Sequence, residues 1–295
     1  MPLAPSNGLE IWYETIGDPA DVPLLLVMGL GAQATSWDID FCQTLADRGF
    51  YVIRFDNRDV GLSTKVETSH IDFAAQFVKA FAGESIEAPY VLADMAADTA
   101  GLLDHLGLDA VHVVGASMGG MIAQQFALDY TQRVLTLTSI MSMPGDADVG
   151  APHPDALAVL IKPPAADRES YLDSYVESSR IIGSPNYFDE AVARVKGAEA
   201  YDRCFYPAGT GRQLLGIMAS GSRSERLRTL DIPTLVIHGA VDPLVDVTGG
   251  RRTAEVIPNA DYLEIEDMGH DLPRQLWPVV VEAVTRHVAK VGQTA

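Results

Sequence analysis

The chain has 295 residues, 47% of them hydrophobic, and a formal net charge of −19. That length supports a large buried core, as one α/β domain with an insertion or as two domains, and the acidic surplus argues against nucleic acid as a partner because phosphate would be repelled. No apolar run approaches the ~20 residues of a membrane span, the start Met1-Pro2-Leu3-Ala4-Pro5-Ser6-Asn7-Gly8 lacks the basic and apolar parts of a secretory signal, and Cys42 and Cys204 fit no disulfide or zinc spacing, so the expectation is a cytoplasmic protein with no metal and no cofactor.

In chain order, Leu9-Glu10-Ile11-Trp12-Tyr13-Glu14 alternates like an edge strand. Leu24-Leu25-Leu26-Val27-Met28 is continuously apolar, as a strand buried on both faces is. A helical stretch from Ile39 to Arg48 precedes the strand Tyr51-Val52-Ile53-Arg54-Phe55. A small insertion runs from Lys65 to Pro89; within it Phe73, Phe77 and Phe81 share one face of a helix, which either packs on the protein or forms a flap over a pocket. Leu92, Met95, Ala96, Thr99, Leu102, Leu103 and Leu106 line one face of a helix that ends at Gly107. Strands follow at 111–114, 135–141, 234–238 and 262–265, and a last helix spans 278–291. Strands alternating with helices predict an α/β fold, a mostly parallel sheet covered on both faces. The alternation breaks from Met143 to Ser222, a Pro-, Gly- and Ala-rich stretch with helical patches at 170–181 and 188–196. The expected organisation is a core of residues 1–142 and 223–295 with a cap inserted at 143–222.

The chemistry concentrates in three strand–loop junctions. The first is Gly115-Ala116-Ser117-Met118-Gly119-Gly120, between an apolar strand and an apolar helical run. A serine on that bend holds its hydroxyl away from the backbone, and the next N–H opens the helix. Gly115 and Gly119 are small because the turn brings the chain close to itself. A serine hydroxyl needs a base, and the base needs an orienting carboxylate. Asp242 lies just past the strand 234–238, and His270 lies in a Met-Gly-His loop just past the strand 262–265. The C-terminal ends of parallel strands share one sheet edge, so the three can meet.

Rivals exist for two of these positions. Asp246 stands four residues beyond Asp242 and is the alternative acid; Asp267 and Asp271 flank His270 on too tight a loop, and Glu264 and Glu266 are weaker still. Of seven histidines, His105 and His287 sit in helical runs, His112 and His238 in strands, and His70 and His153 in the insertions, where His153 could reach a substrate; only His270 follows a strand in a Gly-His loop. A developing oxyanion needs donors. The N–H of Met118 is one, and the Gly29-Leu30-Gly31 turn offers the N–H of Leu30 as the second, unless it is an ordinary Gly-rich connection.

These motifs, with Asp56-Asn57-Arg58-Asp59-Val60-Gly61-Leu62-Ser63, resemble the α/β-hydrolase superfamily across nearly the whole chain, in its ester- and C–C-cleaving branch. Within it the chain is similar to aclacinomycin methylesterase-like hydrolases, sharing the stretch Leu24-Leu25-Leu26-Val27-Met28-Gly29. The resemblance implies Ser117 as nucleophile, Asp242 as acid, His270 as base, and Leu30 and Met118 as oxyanion donors. Many relatives carry His-Gly where this chain has Met28-Gly29. The serine argues against dehalogenases and epoxide hydrolases of this fold, which use Asp there. The expected activity is hydrolysis of small to medium uncharged carboxylic esters through an acyl-enzyme. Lactone or C–C hydrolysis and cofactor-free perhydrolysis use the same triad, and a slow-turnover ligand receptor is the reading from another class.

Overall fold

Side chains alternate across the central strands, and each face of the sheet has its own core. The computed structural model describes residues 2–68 and 71–291, so His70, assigned above to the smaller insertion, lies outside the described residues, as do Met1, Ser69 and residues 292–295. The strands are β1 (Leu3–Ser6), β2 (Leu9–Ile16), β3 (Val22–Val27), β4 (Phe50–Phe55), β5 (Val111–Ala116), β6 (Val134–Ile140), β7 (Thr234–Gly239) and β8 (Asp261–Ile265). The helices are α1 (Ile39–Ala46), α2 (Phe73–Phe81), α3 (Leu92–Leu106), α4 (Met118–Asp129), α5 (Pro154–Leu160), α6 (Arg168–Ile182), α7 (Glu190–Arg203), α8 (Pro207–Ser220), α9 (Ser224–Leu227), α10 (Val247–Val256) and α11 (Trp277–Ala289).

The strands form one sheet in the order β1-β2-β4-β3-β5-β6-β7-β8. From β4 to β8 every pairing is parallel, and β2 joins β4 antiparallel. On one face Leu24 and Leu26 of β3 pack with Phe41 and Leu45 of α1 and Trp277, Val280 and Val284 of α11. On the other, Leu25 and Val27 pack with Leu92 and Met95 of α3 and Ile122 and Phe126 of α4. Continuous apolar runs in β3, β5 and β7 follow from this double covering. Helix ends obey local chemistry: Asp38 caps α1 by accepting the Asp40 N–H, and Gly107 ends α3 in the left-handed region at φ 67°.

The expectation that Leu9–Glu14 is an edge strand is corrected. β1 pairs antiparallel outside β2, with Ala4 opposite Ile11, and takes the edge position. Both of those side chains are fully buried, and the Ser6 hydroxyl donates to the Asp98 carbonyl of α3 at 2.6 Å. A four-residue segment containing Pro5 carries no strand pattern of its own; pairing and the contact with α3 create it.

Between β6 and β7 the chain forms α5 to α9. The expected patches at 170–181 and 188–196 are α6 and α7; α5 and α8 were not predicted. The α6–α7 pair has a small aromatic core, with Tyr171 at 5.2 Å from Tyr201 and 5.4 Å from Phe205, ring centre to ring centre. Buried ion pairs tie this segment to the sheet side. Arg203 meets Asp56 at 2.7 Å and Arg212 meets Asp59 at 2.9 Å, with both carboxylates fully buried. In the smaller insertion α2 forms as the phenylalanine spacing predicts, with Phe73 and Phe77 half-buried, and packs against α8. Among the described residues no helix is long and apolar enough to cross a membrane.

Candidate active site

The site stands at the C-terminal edge of the parallel strands. Ser117 joins β5 to α4 with φ 55° and ψ −123°, an uncommon conformation for a residue with a side chain. The turn is as tight as its glycines suggest: a Cβ on Gly115 would collide with the Gly119 carbonyl, and one on Gly119 would collide with the Val27 carbonyl. The Ser117 N–H is anchored to the Ile140 carbonyl at 2.9 Å.

Asp242 and His270 come from the loops after β7 and β8. His270 Nε2 lies 2.9 Å from Ser117 Oγ, and His270 Nδ1 lies 2.7 Å from Asp242 Oδ2. A neutral imidazole that donates Nδ1–H to the carboxylate leaves Nε2 free to accept the serine proton. The other carboxylate oxygen, Oδ1, accepts the N–H groups of Leu244 and Val245 at 2.9 and 3.0 Å. Burial alone would raise the Asp242 pKa, but the charges and hydrogen bonds of His270 and His238 outweigh it and hold the carboxyl well below the usual range.

The rival groups are engaged elsewhere. Asp246 caps α10, with Oδ1 accepting the Thr248 N–H at 3.0 Å. Asp271 accepts both the N–H and the hydroxyl of Ser184, at 2.9 and 2.5 Å. Asp267 accepts from Asn186, and Glu264 pairs with Arg251. His105 contacts the Tyr13 hydroxyl, His287 packs with Nε2 3.1 Å from the Pro233 carbonyl, and His153 caps α5 at the exposed surface.

Leu30 and Met118 flank the serine. A Cβ on Gly29 would lie 3.1 Å from the Ser117 Cβ, so a bare backbone lets the Gly29–Leu30 peptide pass the hydroxyl. Among the described residues neither the Leu30 nor the Met118 N–H has an acceptor. The turn is held by groups other than the Met28 side chain. Asn57 Nδ2 donates to the Met28 carbonyl at 2.8 Å, the Gly31 N–H donates to Gln213 Oε1 at 2.8 Å, and the Ala34 N–H donates to Asp56 at 2.7 Å. A hydroxyl, an imidazole and a carboxylate in line, beside two free N–H donors, can move a proton off the hydroxyl and receive an oxyanion.

Sequence reasoning missed His238 and Gln213. His238 is fully buried, donates Nε2–H to the Val245 carbonyl at 2.8 Å and stands 3.5 Å from Asp242 Oδ2. Its signal was visible as an ionisable residue at the end of an apolar strand, four residues before the acid. Gln213, also fully buried, bridges the Gly31 N–H and the Arg58 carbonyl. It comes from α8, and no local pattern announces that contact.

Comparison with known proteins shows the family of the chain. Residues 22–273 match the model of a family described as alpha/beta hydrolase fold. The chain is 33% identical over 303 aligned positions to rhodomycin D methylesterase DauP of Streptomyces sp. (strain C5), covering 95% of each chain. It is 33% identical over 304 positions to rhodomycin D methylesterase DnrP of Streptomyces peucetius, covering 96% of each. A meta-cleavage product hydrolase from Pseudomonas fluorescens IP01 superposes with a TM-score of 0.77 at 19% identity over 98% of both chains, a likeness of fold.

Proposed function

The chain belongs to the α/β-hydrolase family, and from that premise we propose that it is a serine esterase working through an acyl-enzyme on Ser117. The observation that carries this reading is the line Asp242–His270–Ser117, with steps of 2.7 and 2.9 Å. In the first half-reaction His270 Nε2 takes the hydroxyl proton as Ser117 Oγ attacks the ester carbonyl. The oxyanion is received by the N–H groups of Leu30 and Met118. Collapse expels the alcohol, which leaves with the proton held on His270, and Ser117 keeps the acyl group. In the second half a water gives a proton to the same nitrogen as its oxygen attacks the acyl carbon; collapse breaks the bond to Ser117 Oγ, which takes that proton back from His270, and the acid is released. Asp242 stays ionised throughout and stabilises the imidazolium.

The substrate class is a small to medium uncharged carboxylic ester. The two relatives named as methylesterases support an ester whose alcohol is small. The net charge of −19 disfavours anionic substrates. Residues 143–222 act as a cap on a core of residues 1–142 and 223–295, a division supported by the position of α5 to α8 between β6 and β7 at the edge that carries Ser117. The test uses a fluorophosphonate probe and a p-nitrophenyl ester series. Ser117 should be labelled and esters turned over, with both lost in Ser117→Ala. Equal labelling of that variant, or turnover of lactone or C–C substrates alone, would overturn the reading.

A further inference from the structure

The loop that carries His270 is held at consecutive residues by one short segment of the insert. The Gly269 N–H donates to Ser184 Oγ at 2.9 Å. The His270 N–H donates to the Ile182 carbonyl at 2.7 Å. The Asp271 carboxylate accepts the Ser184 N–H at 2.9 Å and the Ser184 hydroxyl at 2.5 Å. The Ser184 hydroxyl thus accepts from the residue before the histidine and donates to the residue after it. Ser184 is 1% exposed, so water does not compete for these bonds.

The backbones meet too closely for side chains between them. A Cβ on Gly269 would lie 2.5 Å from the Gly183 carbonyl oxygen, and one on Gly183 would lie 2.9 Å from Asp271 Oδ2. The contact therefore works as a clasp, with a glycine on each side and one hydroxyl at its centre. Asp271, which from sequence was only a poor rival for the acid, is the acceptor that orients this hydroxyl.

We propose that Ser184 is a positioning residue for His270, holding the loop so that Nε2 stays in reach of Ser117 Oγ, with Asp271 fixing the direction of its hydroxyl. The inference rests on the reading of His270 as base. Proton transfer depends steeply on placement: a displacement of about 1 Å can cost on the order of 10²-fold in rate. Losing the clasp should therefore lower kcat with little change in KM, because Ser184 bonds to the loop and not to the ester.

The experiment measures kcat and KM for p-nitrophenyl acetate and the melting temperature of the full chain for wild type, Ser184→Ala, Ser184→Thr, Asp271→Ala, the Ser184→Ala/Asp271→Ala double variant, and His270→Ala. Ser184→Ala should lose roughly 10- to 100-fold in kcat, with KM within about twofold. Ser184→Thr keeps the hydroxyl and should recover most of the rate. The double variant should be no slower than the slower single one, because both act through one contact. Wild-type kcat in Ser184→Ala, no recovery in Ser184→Thr while that variant stays folded, or fully additive losses would each overturn the proposal. If His270→Ala keeps wild-type activity, the reading of the base has failed; an inactive His270→Ala beside an unimpaired Ser184→Ala sinks the positioning role alone.

Discussion

His238 and His270 meet the same oxygen of Asp242: His270 Nδ1 lies 2.7 Å and His238 Nε2 lies 3.5 Å from Oδ2. His238 also donates to the Val245 carbonyl, and the Val245 N–H donates to the other carboxylate oxygen. One buried ring therefore ties both ends of the acid loop. Its Nδ1 has no partner among the described residues, whereas Nε2 faces the Val245 carbonyl, which can only accept, so Nε2 carries a proton.

Replacing His238 by Phe keeps a ring in the space but leaves the Val245 carbonyl without its donor. A buried polar group left unpaired costs about 1–3 kcal/mol. We expect that loss in chemical denaturation, together with a fall in kcat of about tenfold, the equivalent of ~1.4 kcal/mol in the barrier. Wild-type stability and kcat in His238→Phe would show that the ring only fills space.

On the proposed reading, Asp242 and Asp246 should separate by function. Asp242→Asn removes the charge that faces His270 and should reduce kcat by about 10⁴, as in other triads. Asp246→Ala removes the cap of α10 and should cost about 0.5–2 kcal/mol of stability, with kcat near wild type. Steady-state kinetics and urea unfolding of both variants decide the matter; the reverse pattern would exchange the roles.

What was legible in the chain was what local chemistry dictates. The Ser117 turn needs small neighbours at 115 and 119, and an acid or a base placed just past a strand needs only that strand to be recognised. Leu24 to Met28 read as a doubly buried strand because both faces of β3 are covered. The groups that hold the site were hidden because their partners are remote in sequence. Asp56 and Asp59 read as parts of a loop motif, yet they pair with Arg203 of α7 and Arg212 of α8. Helix α8 escaped notice because Gly209, Gly211 and Gly216 weaken its intrinsic helical preference. Two of them are required by packing: a Cβ on Gly209 would collide with the Asp59 carbonyl, and one on Gly216 would lie 2.9 Å from the Tyr90 carbonyl.

Stability should weaken as the pH falls below the range in which an unfolded histidine titrates. Burial, aided by the charge of nearby His287, pushes the His112 pKa down to about 4, and burial lowers that of His287 too. An unfolded histidine titrates near ~6.5. Above that pH the ring is neutral in both states and its contribution is fully present. As pH falls from ~6.5 through about 4, the unfolded chain takes up a proton that the folded chain refuses, and stability drops by at most ~1.4 kcal/mol per pH unit for each such histidine. His112→Gln keeps a polar partner for Thr136, whose hydroxyl lies 2.9 Å from the ring, and cannot titrate. Urea unfolding at pH 7.5, 6 and 5 should show a shallower loss in this variant than in wild type. Equal slopes would mean that His112 charges freely in the folded protein.

Gln213 offers a test of the Leu30 turn that does not touch the serine. Its Oε1 accepts the Gly31 N–H and its Nε2 donates to the Arg58 carbonyl, so one amide from α8 joins two core loops. Gly31 has φ 66°, and a Cβ there would come 2.7 Å from the Thr210 hydroxyl, also on α8. The turn therefore has little room to shift while Gln213 is in place. Gln213→Leu fills much of the volume and withdraws both hydrogen bonds, which frees the Gly31 peptide to rotate. That rotation would swing the neighbouring Leu30 N–H away from the position an oxyanion occupies. Complete loss of one oxyanion donor costs about 10²–10³ in kcat, and a loosened donor should cost less, about tenfold or more, with KM changed little. Gln213→Glu keeps an acceptor for Gly31 but sets a carboxylate against the Arg58 carbonyl, so it should fall between wild type and Gln213→Leu. The measurements are kcat and KM on one p-nitrophenyl ester and the rate of Ser117 labelling by a fluorophosphonate, whose phosphoryl oxygen uses the same donors. Both rates should fall together in Gln213→Leu. A folded Gln213→Leu with wild-type kcat and labelling would mean that the Leu30 turn keeps its shape without α8.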